Sequence, residues 1–177
     1  MMMLIRHLLS VAALPFMVAV VVPLWLARSN HISLTLGVSG IQIVAQLAGL
    51  VLLILGLGLF ASSLRRFATE GEGTLAPWDP PRRLVIRGPY RYVRNPMISG
   101  VVFVLFGEAL LLLSRPHAMW ALIFLGANFV YIPLLEETGL KLRFGDSYRE
   151  YCRHVPRLIP RLRPWQPADD SGTDSAS

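Results

Sequence analysis

Apolar residues fall into four long stretches, Leu8 to Ala27, Ile41 to Phe60, Met97 to Leu113 and Ala118 to Leu135, separated by polar breaks. Each stretch holds 17 to 20 residues. A helix rises ~1.5 Å per residue, so about 20 residues cross a hydrocarbon core of ~30 Å. Four transmembrane helices are therefore predicted, the last two at the short limit. The last two are joined only by Ser114-Arg115-Pro116-His117, which predicts an antiparallel hairpin. The first stretch follows Arg6 and His7 and so has the outline of a secretory signal. Its core is too long for one, and Trp25 sits where a small residue is wanted before cleavage, so it reads as an uncleaved first helix.

The pattern changes in two places. Residues 71 to 81, GEGTLAPWDPP, are a Gly- and Pro-rich loop in which Pro80-Pro81 stops any helix. Beyond the fourth stretch the chain runs without a break into EETGLKLRFGDSYREYCRHVPRLIPRL, residues 136 to 162. Glu137, Leu140, Lys141 and Phe144 recur at helical spacing, Gly145 interrupts, Tyr148, Tyr151 and Cys152 resume, and Pro156 ends the pattern. This predicts an amphipathic C-terminal helix with a glycine break. The fold expected is an all-α membrane protein: a single domain over residues 1 to 162 and a disordered polar tail over 163 to 177.

Composition agrees with that class. The chain of 177 residues is 54% hydrophobic and 16% charged, with a mean hydropathy of +0.52. With four spans both termini share a side with the 62 to 96 loop. That side holds Arg6, seven arginines of the loop and seven Lys or Arg after residue 136, against Arg28 and Arg115 on the other. The excess predicts that the loop and both termini are cytoplasmic, in a membrane of the bacterial inner-membrane kind or its equivalent. The net charge of +6 then reflects attraction to anionic lipid headgroups, about 1 kcal/mol per juxtamembrane Lys or Arg, and calls for no nucleic acid.

Several motif searches end early. Cys152 is the single cysteine and reads as a spectator thiol, and His7, His31, His117 and His154 lack metal-ligand spacing, so no metal is expected. Gly56-Leu-Gly58 lies inside an apolar helix and predicts close helix packing, not a dinucleotide loop. Glu108 lies eleven residues into the third span. Facing lipid there costs ~2.5 kcal/mol or more, so it is expected to face the bundle and pair with Gln46 or Gln42.

The informative stretch is RRLVIRGPYRYVRNP, residues 82 to 96, at the entrance of the third span. The predicted hairpin brings Arg94 and Asn95 next to Glu136 and Glu137 at the end of the fourth span. A basic, aromatic segment there meets an acidic pair at the membrane surface, which suits a ligand both charged and planar. Each part also has a plainer reading. The arginines serve equally as topology anchors, Tyr90 and Tyr92 as interfacial belt residues, Glu136 and Glu137 as a solvated helix end, and Tyr148 and Tyr151 as packing residues of the tail.

Gly88-Pro89-Tyr90-x-Tyr92-Val93-Arg94-Asn95-Pro96, followed by Glu136-Glu137-x6-Phe144-Gly145-x2-Tyr148-x2-Tyr151 and Val155-Pro156, resembles the isoprenylcysteine carboxyl methyltransferase family and its phospholipid methyltransferase relatives. The resemblance covers roughly residues 82 to 160. It implies an integral membrane enzyme that binds S-adenosylmethionine in a cytoplasm-facing pocket, with cofactor contacts at Leu84, Val85, Tyr90, Asn95, Pro96, Met97, Ile98 and Glu136. Such a cofactor offers a planar adenine, an ammonium that wants a carboxylate and a carboxylate that wants Arg or backbone N–H groups. Methyl transfer from a sulfonium needs positioning and exclusion of water, with no nucleophilic side chain from the protein. The catalytic candidates are Arg94, which could hold an anionic acceptor, and Glu137, which could take a proton from an amine.

The chain departs from that family at Arg82, at Ile98 and at Ile132, where the prenylcysteine enzymes carry His, Tyr and Arg. An aliphatic side chain at 132 cannot hold a substrate carboxylate. The expected acceptor is therefore a small apolar or lipid-borne molecule that arrives from the bilayer. A non-enzymatic membrane scaffold and a membrane reductase of the steroid reductase type, which would need a nicotinamide cofactor, remain as other functions of such a chain.

Overall fold

A computed structural model of the chain describes residues 14–70 and 86–166, without the side chains of 67–70 and 135–136. The described residues form five helices and no strand. They are α1 (Leu14–Ser29), α2 (Gly40–Glu70), α3 (Pro96–Leu111), α4 (Arg115–Tyr131) and α5 (Glu137–His154). Among them Gly40–Arg66 and Arg115–Leu134 are long and apolar enough to cross a membrane by length and composition, whereas α1, described from Leu14, and α3 are apolar but shorter. The protein is an all-α membrane protein, and the four expected spans map onto helices of unequal length.

Three boundaries differ from expectation for local reasons. The second helix runs ten residues past Phe60, because SLRRFATE holds no breaker before Gly71. The third stops at Leu111, since Leu113 takes the left-handed φ of 48°. The fourth starts three residues early, with Ser114 as its N-cap and Pro116 in its first turn, where a missing N–H costs nothing.

The central helix is α3. At 16 residues α3 spans about 24 Å, and it is buried along most of its length, with Val101, Val102, Val104 and Leu105 each under 8% exposed. α2 crosses it antiparallel through glycines spaced by seven on both helices. A Cβ on Gly56 would lie 2.7 Å from the Gly100 oxygen, and one on Gly49 would lie 2.8 Å from the Gly107 oxygen. The two backbones touch, which is how helices associate where lipid removes the hydrophobic drive. Close packing expected at Gly56-Leu-Gly58 thus holds for Gly56, while Gly58 has nothing within 4 Å.

On its other side α3 meets α4 and α1 around Val101, Leu105 and Ala121. In α1 a π turn at Met17–Val21 bonds each carbonyl to the N–H five residues on, as Met17 does with Val22. In that register Val18 would need the N–H of Pro23, which has none. The Trp120 indole of α4 donates to the Val18 oxygen instead, at 3.0 Å.

Glu108 does not pair with Gln46 or Gln42. The Gln46 amide nitrogen donates to the Thr35 and Leu111 oxygens at 2.6 and 3.0 Å, and its oxygen accepts from the Gly37 N–H at 2.9 Å. Gln42 accepts from the Val38 N–H. Both ends of the Gln46 amide and the Gln42 oxygen are engaged by backbone groups of the 32–39 connection and of the α3 terminus. Among the described residues Glu108 Oε2 is buried with no hydrogen-bond partner.

Candidate functional site

The segment before α3 is held in place from three directions. Gly88 turns the chain at a φ of 53°, and a Cβ there would strike the Arg66 guanidinium from the end of α2. A 3-10 turn, Gly88–Arg91, follows, and the Tyr151 hydroxyl of α5 donates to the Tyr90 oxygen at 2.7 Å. From the far side the chain beyond α5 folds back as a strap. The Arg94 N–H donates to the Pro156 oxygen at 2.9 Å and the Asn95 N–H to Arg157 at 3.2 Å. In return the Arg161 N–H donates to the Tyr92 oxygen and the Trp165 N–H to that of Arg91, both at 3.0 Å.

Under these bonds lies a small core. Val93 and Val155 are fully buried, and Tyr148, Tyr151 and Val155 pack with Ile86, Leu140, Phe144, Cys152 and Trp165. Tyr148 and Tyr151 are packing residues, as their plainer reading had it, and burial raises the pKa of both hydroxyls. They reach this core because Gly145 breaks α5 with a φ of 56°, as its place in the pattern predicted. Trp165 stacks on His154 and packs on Tyr151, which ties the chain beyond Leu162 to α5. The rest of the expected tail, from 167 onward, lies outside the described residues.

At the centre is Glu137, with a side chain 4% exposed. Its Oε1 accepts from Arg94 Nη1 and from Arg157 Nε, both at 2.7 Å, and its Oε2 accepts from Arg157 Nη2 at 3.0 Å. Lys141 Nζ stands 3.8 Å from Oε2. Burial alone would raise the carboxyl pKa. The hydrogen bonds from Arg157 and the charges of Arg94, Arg157 and Lys141 outweigh it and hold the group below the ordinary carboxylate range. Glu137 is therefore a fixed anion, poorly suited to accept a proton.

Arg94 is held less completely. Its Nη1 also donates to Cys152 Sγ at 2.8 Å, but its Nε is buried with no partner among the described residues. Cys152 is thus part of the site's hydrogen bonding and more than a spectator. Its place on the buried face with Tyr148 and Tyr151 was the one sign of this in the sequence.

The burial of Glu137 is decided by Pro133. Proline lacks the N–H for an α-helical bond and crowds the carbonyl four residues back, and the helix widens into a π turn at Ile132–Glu136. The Glu137 N–H then bonds to the Ile132 oxygen, and Ile132 and Glu137 are the buried residues on either side of the turn. The π turn shifts the register by one residue relative to a regular helix, which brings Glu137 to the buried side with Ile132.

The other candidates divide as follows. Tyr90, Met97 and Ile98 are half-buried, and Pro96 is buried. Asn95 is the N-cap of α3 yet makes no side-chain cap bond, so the first N–H groups of α3, those of Met97 and Ile98, receive no cap from it. Leu84, Val85 and the side chain of Glu136 lie outside the described residues. Arg157 was not singled out by sequence, because its role depends on the strap folding back.

These residues suit the anionic part of S-adenosylmethionine. An unpaired buried guanidinium N–H costs ~1–3 kcal/mol without an acceptor, and an uncapped helix start favours negative charge. The ammonium finds no open carboxylate at Glu137, which three cations already surround.

Comparison with known proteins adds the following. The model of the phospholipid methyltransferase family matches residues 44–147, a stretch that contains α2 from its second turn on, α3, α4, the 87–96 segment and Glu137. Over 84 residues the chain is 37% identical to methanethiol S-methyltransferase 2 of Bradyrhizobium diazoefficiens, a match covering 46% of this chain and 30% of that protein. The chain thus matches less than a third of the length of that curated relative. No solved structure matches it.

Proposed function

Because the chain belongs to the phospholipid methyltransferase family, which matches more than half of its length, we propose that it is an S-adenosylmethionine-dependent membrane methyltransferase whose acceptor is a small apolar thiol. The observation that carries this is the unpaired Arg94 Nε two residues before the start of α3, whose N-cap makes no side-chain bond, inside the family-matched stretch. When bound, S-adenosylmethionine supplies an electrophilic methyl on sulfonium.

The protein's own groups then divide the work. Arg94 Nε and the Met97 and Ile98 N–H groups take the carboxylate, and the Asn95 amide offers a polar contact nearby. Tyr90, with Leu84 and Val85, provides the apolar wall for adenine, Pro96 fixes the first turn of α3, and Glu136 is the acid for the ammonium. Glu137 holds Arg94 in place.

Acceptor chemistry follows from what the site lacks. An amine with a pKa near 10 must lose a proton before attack, and Glu137, pinned below the ordinary carboxylate range, is a poor base for it. A carboxylate acceptor needs a free cation. Ile132 is apolar and fully buried, Arg157 is engaged by Glu137, and the open edge of Arg94 is already assigned to the carboxylate of the methyl donor, so such an acceptor would remain uncompensated. A thiol, with a pKa near 8.5, ionises in part without a dedicated base and tolerates an apolar path. The name of the matched relative points the same way. The site end faces the cytoplasm, supported by the fifteen Lys and Arg on that side.

The test uses purified protein in nanodiscs. S-adenosylmethionine and NADPH are titrated by calorimetry, and labelled methyl donor is offered with a hydrophobic thiol, phosphatidylethanolamine and a farnesyl-cysteine analogue. Binding of the methyl donor and methylation of the thiol well ahead of the other two are expected. Binding of NADPH alone would replace this reading with a reductase, binding of neither with a scaffold, and efficient esterification of the farnesyl-cysteine analogue would refute the thiol.

A further inference from the structure

We infer that Arg157, ten residues beyond the end of the family-matched stretch, is a positioning residue that keeps the Nε edge of Arg94 open for a ligand. This rests on the methyltransferase reading above.

The inference comes from how two arginines share one carboxylate. A guanidinium and a carboxylate prefer to meet as a fork, through two parallel hydrogen bonds. Only one guanidinium has that arrangement with Glu137. Arg157 places Nε on Oε1 at 2.7 Å and Nη2 on Oε2 at 3.0 Å, whereas Arg94 reaches Oε1 through Nη1 alone. With Oε2 taken by Arg157 and flanked by Lys141, Arg94 has no second oxygen to turn toward. Its remaining Nη1 bond goes to Cys152 Sγ, and its Nε is left as a buried donor without a partner.

Arg157 is itself constrained. Its carbonyl accepts from the Asn95 N–H, and its guanidinium lies 5.9 Å from the centre of the Phe129 ring. Backbone and side chain are thus fixed from two sides, on the segment that the strap bonds to residues 91–95. Without the Arg157 guanidinium, Oε2 becomes available, Arg94 rotates into the fork, and the Nε–H is consumed by Glu137.

Binding and stability measured together test this. Dissociation constants for S-adenosylmethionine and S-adenosylhomocysteine are determined in nanodiscs by calorimetry for wild type, Arg157→Gln, Arg157→Lys, Arg94→Lys and the double variant Arg94→Lys/Arg157→Gln, with a melting midpoint for each. Arg157→Gln is expected to weaken both ligands by about tenfold, as loss of one charge-assisted hydrogen bond does. Arg157→Lys keeps the charge without the fork and is expected to show part of that loss. Lysine at 94 has no Nε–H to protect, so on that background Arg157→Gln should add less than about twofold.

Equal effects of Arg157→Gln on both backgrounds would overturn the inference alone and leave Arg157 a structural support of the strap. An Arg157→Lys protein that binds like wild type would also overturn it, by showing that charge and not the fork matters. Failure of the wild type to bind either ligand would overturn the methyltransferase reading and this inference with it.

Discussion

Replacing Glu137 with glutamine removes one negative charge and almost no volume from a position 4% exposed. Two guanidinium groups lie within 3.0 Å of its oxygens and the Lys141 ammonium at 3.8 Å. Arg157, with a quarter of its side chain exposed, can recover water, but Arg94 at 11% cannot, so one buried cation loses its counter-charge. Breaking such a pair from one side costs about 3–5 kcal/mol, and the partial exposure of Arg157 places this site at the lower end. For a chain of this length about 3 kcal/mol lowers the melting midpoint by roughly 6–12 °C. The measurement is thermal unfolding of wild type and Glu137→Gln in the same detergent from pH 7 downward. The folded carboxyl titrates below its unfolded value of about 4.3, so its contribution is complete above that pH and is lost as pH falls through the folded pKa. The two melting curves should therefore stand apart at neutral pH and converge in acid. A gap under 2 °C at pH 7, or one that stays constant with pH, would refute the account of Glu137 as a buried, paired anion.

Three further outcomes are expected from thermal melts in detergent. Gly56→Leu should destabilise by more than the usual ~1–3 kcal/mol of overpacking, because its Cβ meets the Gly100 backbone, while Gly58→Leu, open on all sides, should change stability by less than about 0.5 kcal/mol. Trp120→Phe keeps the ring but orphans the Val18 oxygen, and should cost about 1–2 kcal/mol. Glu108→Gln should leave the melting midpoint unchanged or raise it, since the carboxyl oxygen it alters has no partner to lose, and a large drop would reveal one.

The sequence was most legible where physics is local. Hydrophobic runs mark the positions of α2, α3 and α4, SRPH announces the hairpin, and the hairpin puts Arg94 beside Glu137. Helix ends were missed where no breaker marks them, as after Phe60, or where a left-handed Leu113 ends a helix that composition would continue. The burial of Glu137 turns on a π turn at Pro133, and proline in a helix announces a disturbance without saying which register results. Gln46 and Gln42 were matched to Glu108 by depth alone, but backbone groups in a connection with no hydrophobic pattern claimed them first. Arg157 and Cys152 lie 63 and 58 residues from Arg94 along the chain, a separation that no local pattern encodes.

The strap also sets a timetable. Its hydrogen bonds join residues 91–95 to residues 156–165, so the segment ahead of α3 waits for more than sixty further residues to be synthesised before its partners exist. Chains are made from the N-terminus at a limited rate, and helices can enter a bilayer as they emerge. A nascent chain that has passed residue 136 thus carries α1 to α4 but neither Arg157 nor the carbonyl of Pro156, and its Arg94 faces Glu137 with no competitor for the carboxylate. The segment ahead of α3 therefore enters the bilayer region early and gains its last backbone partners only after α5 and the strap behind it have been made.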